Sequence, residues 1–246
     1  MLLPTLVVVP VSFSSKQSFI FPPKGLSTRW YREFFTDPLW TGAAKASFLI
    51  ALAVAFLATT LGTMAALAIT KSRGRWVAPV KNVLMAPLVV PGTAIAMGIY
   101  YVFLRLQLTE TYLGLILAHT VMAIPIVLIT VSASLNSFDW QMIKASESLG
   151  ARPAITFAKV TLPLILPGVL AGGLFAFLTS FDEAIVSLFL TGPDLKTLPI
   201  QIYMSVTSSF EPTAAAAATL IIVLATGLIA TFGVLSYFRE KAGTNG

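Results

Sequence analysis

The sequence predicts an all-α integral membrane protein with about six transmembrane helices, the first of them truncated. Three observations carry this. Of 246 residues, 57% are hydrophobic and only 11% are charged, where a soluble domain carries about 25% charged residues. Five apolar runs are long enough to cross about 30 Å of hydrocarbon as helices. The residue types that build most soluble sites are scarce: there is no cysteine and one histidine, His119. That excludes disulfides and thiol catalysis and argues against a zinc site, so no metal or other cofactor is expected.

The elements follow in order. Residues 2–13 are apolar but number only about a dozen. Basic residues before them and a small-residue cleavage site after them, the marks of a signal peptide, are absent. They read as the outer part of a first span whose beginning is missing. The five full spans are 46–69, 83–104, 112–131, 164–190 and 214–237, the fourth of them overlong and interrupted by "SFDE" at 180–183. Pro87, Pro91, Pro125 and Pro167 should kink them by removing backbone hydrogen bonds. Gly168 and Gly172 form a G-x-x-x-G pair suited to close helix approach. Trp30, Tyr31, Trp40 and Trp76 flank spans as interface anchors. Pro199, Tyr203, Val206 and Phe210 share one helical face, which predicts a short helix in the 191–212 loop.

Positive charge orients the chain. Lys71, Arg73, Arg75 and Lys81 follow the second span; Lys144, Arg152 and Lys159 follow the fourth; Arg239 and Lys241 follow the last. Alternating loops place these nine on one side, read as cytoplasmic, against seven on the other. In a membrane protein the net charge of +6 marks such loops rather than a nucleic-acid surface.

The polar passage 139–163 is too hydrophilic for lipid and too small for a core of its own. Asp139 can cap a helix reaching Leu149. Gly150 suits the left-handed position that ends it. Pro153 suits the first turn of a second helix reaching about Val160, and 161–163 then lead into the next span. Such a hairpin needs a partner surface, either its own chain or another protein.

Its spacing carries a resemblance. The passage resembles the cytoplasmic loop of ABC-importer permeases: Glu-Ala-Ala, three residues, Gly, nine residues, Ile-x-Leu-Pro. Here Lys144-Ala145-Ser146 stands at the front, Gly150-Ala151 follows at the expected distance, and Val160-Thr161-Leu162-Pro163 closes the pattern. Further stretches are similar, in the same order, to permeases of the spermidine/putrescine class: "SFIFPPKGLSTRWYREFF" (18–35), "APLVVPGTAIAMG" (86–98), "LAHTVMAIPIVLITVSASL" (117–135) and 180–220. The resemblance implies a type I ABC-importer permease fold, one transmembrane domain over 1–246, with core spans in 43–238 and a coupling helix in 139–163. It implies location in the bacterial inner membrane. It also implies four kinds of company: lipid, a second homologous permease, two cytoplasmic ATPase subunits and an external substrate-binding protein. In that family an acid at the first loop position contacts the ATPase. Lys144 cannot serve so, and Glu147 lies almost one turn later on another azimuth.

The phosphate-cradling G-x-x-x-x-G-K-[ST] is absent; "ITKSRG" (69–74) lacks the preceding glycines. The chain is therefore read as a non-catalytic subunit that moves a small solute, a polyamine by resemblance, or alternatively an opine, aminoethylphosphonate, thiamine or iron. Ser180, Asp182 and Glu183 are the pathway or gate candidates, because adjacent carboxylates at membrane depth are costly. Capping of the following segment is the other reading of the two acids, and His119 reads as a hydrogen-bonded packing residue. An ion-coupled secondary transporter, with only His119, Asp182 and Glu183 to titrate, and a non-transporting scaffold are the remaining alternatives.

Overall fold

The computed structural model describes residues 2–17, 19–72, 74–209 and 211–244; Arg73 and Phe210 lie outside them. Twelve α-helices run along this part of the chain. A single antiparallel bridge, Ser14 with Leu26, is the β pairing among the described residues.

The chain begins with α1 (Leu2–Ser12) and α2 (Arg29–Thr36). The carboxylate of Asp37 then accepts the Leu39 N–H at 2.8 Å and starts α3 (Pro38–Lys71). With proline at its first position and this acid before it, α3 is longer at both ends than the expected 46–69. The expected span 83–104 is not one helix. It is α4 (Val77–Met85), a 3₁₀ turn (Ala86–Leu88) and α5 (Gly92–Arg105), broken between them. Pro91 donates no hydrogen bond and drives Val90 from helical geometry, so the chain breaks there rather than kinks.

α6 (Tyr112–Asn136) starts where the Thr111 hydroxyl accepts the Gly114 N–H at 3.0 Å. α7 (Gln141–Ser148) and α8 (Pro153–Thr156) follow. A π-helical turn (Phe157–Thr161) joins α8 directly to α9 (Leu162–Phe181). Residues 161–163 are thus part of a continuous helical path rather than a lead-in. The ring of Pro163 would meet the carbonyl one turn back in a regular α-helix, and the wider π turn makes room. The expected span 164–190 likewise ends at Phe181, and α10 (Ile185–Leu190) is separate. α11 (Leu198–Met204) gives the short helix expected in the outer loop, continued by a π turn (Ser205–Ser209) before α12 (Thr213–Thr244). Four helical segments among the described residues are long and apolar enough to span, five with the broken α4–α5 pair. At eleven residues α1 is too short to count among them.

The chain divides into two compact units. Unit one comprises Met1–Ala51, Gly92–Ala118 and Phe181–Gly246. In it α1, α2 and α11 pack on α12, and α5 packs on α10. Trp40, Ala43, Ser47 and Ile50 recur at helical spacing on α3 and are buried. Trp30 is also buried, its indole N–H donating to the Ser14 carbonyl at 2.6 Å. Trp30 and Trp40 are therefore core residues, not interface anchors; only Trp76 is broadly exposed. The Ser47 hydroxyl accepts the Leu198 N–H at 2.8 Å and so caps α11.

Unit two comprises Leu52–Pro91 and His119–Ser180. Its helices meet through glycine. A side chain on Gly172 would place Cβ 2.7 Å from the Thr130 hydroxyl, and one on Gly173 would place it 2.9 Å from that of Thr59. Gly168 lies closer still under Ser134. The G-x-x-x-G pair is the close-approach face of α9 against α6.

Candidate functional site

The polar hairpin is built by four local devices. The Asp139 carboxylate accepts the Gln141 N–H at 2.9 Å and opens α7. At its end Gly150 has φ +81°. The Gly150 N–H bonds the Glu147 carbonyl at 2.9 Å and the Ala151 N–H bonds the Ser146 carbonyl at 3.1 Å. This pair of bonds is a Schellman motif, and it places glycine in the left-handed position. Arg152 is extended, as a residue before proline must be. Finally, the hydroxyls of Ser146 and Thr156 meet at 2.9 Å and tie α7 to α8. Thr156 is buried and had no distinguishing signal in the sequence, since its partner lies ten residues away.

The residues singled out in this passage sort by exposure. Lys144, Ala145, Glu147 and Gly150 are exposed, Ser146 and Ala151 are half-buried, and Leu149 presents 88% of its surface. Val160 and Leu162 are half-buried and Pro163 is exposed on the helical continuation. Glu147 and Lys144 are not equivalent. Glu147 lines a cavity of about 170 Å³ together with Lys71, Trp140, Ile143 and Phe157. Lys144 does not line it. Glu147 thus borders the end of its own α3, on a different azimuth from Lys144.

The three pathway candidates find separate partners. Ser180 is buried, its hydroxyl 3.0 Å from Nδ1 of His119. Glu183 is half-buried and its Oε1 accepts the Val186 N–H at 3.0 Å, capping α10. Asp182 stands one residue beyond the end of α9 with its side chain exposed, and partial desolvation of the carboxyl raises it above the ordinary aspartate value. A second loop was not singled out in the sequence. Glu110 has φ +59°, donates its N–H to the Leu190 carbonyl at 2.8 Å, and rests its carboxylate on Gly192.

Residues 58–239 match the family described as binding-protein-dependent transport system inner membrane component. The chain belongs to this family. The protein is accordingly an inner-membrane component, and its described residues hold four spanning segments, or five with the broken pair. The chain is 33% identical to the spermidine/putrescine transport system permease protein PotC of Haemophilus influenzae over 92% of its own length and 88% of that protein. It is 31% identical to the putrescine transport system permease protein PotI of Escherichia coli, over 96% and 84%. Its fold is similar to that of a bacterial ABC transporter involved in import of the acidic polysaccharide alginate. The TM-score is 0.70 at 16% identity, covering 96% of this chain and 90% of the other.

Proposed function

We propose that this permease forms half of the translocation pathway for a polyamine of the spermidine/putrescine type, with all of 1–246 working as one transmembrane domain. The observation that carries the substrate is the 33% and 31% identity to PotC and PotI over nearly the whole chain. A second homologous permease supplies the other half of the path, and an external binding protein delivers the solute. ATP is hydrolysed on two separate cytoplasmic subunits.

The 139–163 hairpin is the surface on which those ATPase subunits push. Its support is local: the shape is fixed by the Schellman turn at Gly150 and the Ser146–Thr156 bond, while Ala145 and Leu149 face outward. A rigid, exposed lever with an apolar tip transmits displacement to α9 through the unbroken helical path 153–181. Lys144 removes the acid that the family uses here, and Glu147 lines the same small cavity as Lys71. Contact with the ATPase is therefore apolar and steric at Leu149, with Lys144 as a cation rather than an acceptor. Ser180, Asp182 and Glu183 shape the pathway end of α9.

The test is uptake of radiolabelled spermidine and putrescine by vesicles holding the assembled complex, with crosslinking from a cysteine placed at Ala145. ATP-dependent polyamine uptake and a crosslink to the ATPase are expected. Uptake of an opine, thiamine or iron instead would overturn the substrate. Uptake without any ATPase would overturn the coupling and favour ion-driven transport.

A further inference from the structure

We propose that unit one holds one acyl chain of an anionic phospholipid. An apolar cavity of about 320 Å³ opens among α1, the end of α11 and the start of α12. Val8 and Val11, Val206, and Ala215 and Ala218 form its walls, and Phe19 of the 13–27 hairpin borders it. Every described side chain lining it is apolar. Water needs two to four polar partners to occupy such a space, so hydrocarbon is the fitting occupant.

The headgroup is read from the hairpin above. Ser15 N–H bonds the Gly25 carbonyl at 3.1 Å, and Ser27 N–H bonds the Phe13 carbonyl at 2.7 Å. These bonds hold Lys16 and Lys24, both exposed, on the same short ribbon as Phe19. Two cations beside an apolar mouth complement a phosphate that carries a tail. Ile20, Phe21 and Leu26 on this ribbon are 60%, 56% and 77% exposed. They suit the same lipid surface rather than water. The site is independent of which solute the permease carries.

The assembled complex would be reconstituted in phosphatidylethanolamine–phosphatidylglycerol vesicles. A trace of phosphatidylglycerol with a photoactivatable tail would be added and the labelled residues mapped. Label should concentrate on Val11, Val206 and Ala218. Ala218→Phe, which fills the cavity, should lower it several-fold while the complex still assembles. The surface double variant Lys16→Ala/Lys24→Ala leaves the cavity intact. It should reduce labelling to the level given by a phosphatidylethanolamine probe. Even labelling along α12 that ignores Ala218→Phe would overturn the proposal. So would equal labelling by both headgroups in the unmodified complex. Capture of the second permease or the binding protein by a photoactivatable residue at Phe19 would overturn it too.

Discussion

Gly150 and Ser146 fix the hairpin by different physics, and their variants should fail differently. A Cβ on Gly150 meets nothing within 4 Å, so space is not its constraint; φ +81° is. Gly150→Ala should cost roughly 1–2 kcal/mol of local stability and loosen the turn. Its expected signature is ATP hydrolysis less coupled to uptake, measured as solute moved per ATP. Ser146→Ala instead strands the buried Thr156 hydroxyl, at a cost of about 1–3 kcal/mol. Adding Thr156→Val should recover most of that loss in a thermal-melt double-mutant cycle. Recovery absent from the cycle would mean the two hydroxyls do not depend on each other. Asp182 gives a pH prediction. Its raised pKa means that the folded chain holds the proton more tightly than the unfolded one. Stability therefore falls as pH rises from the unfolded value through the folded one. Asp182→Asn should flatten that part of a melting-temperature profile.

At the scale of elements, glycine sets how closely α9 approaches α6. Gly172→Leu would drive a side chain into Thr130 and Val127 and should cost several kcal/mol, as overpacking of a tight interface does. Protease sensitivity of the purified complex would report it. Gly227 meets nothing within 4 Å, so Gly227→Leu should be silent in the same assay. Elements were legible in proportion to how local their causes were. The end of α7 at Gly150 and the interruption at Ser180–Glu183 could be read from single residues. The break at Pro91 could not, because a proline in an apolar run permits either a kink or a stop. The merger of α8 with α9 was hidden for a related reason. Two prolines suggested a boundary, and only the π turn shows how the chain passes them without one.

For the molecule as a whole, family and class were legible because hydropathy and the spacing of the polar loop are properties of the chain itself. The partners of individual site residues were not. Ser180 meets His119 sixty-one positions away, and nothing local to either marks the pair. Ser180→Ala should leave spans and assembly intact and alter transport rate, read as the initial uptake velocity. The tie between Ser47 and Leu198 has a consequence in time. These groups are separated by 151 positions. At about 5–20 residues per second of synthesis, the helix bearing Ser47 waits roughly 8–30 s before its acceptor is used. A ribosome that stalls within that interval leaves a nascent product in which that end of α3 is unclosed, recognisable to quality-control proteases before any defect in the finished transporter could be detected.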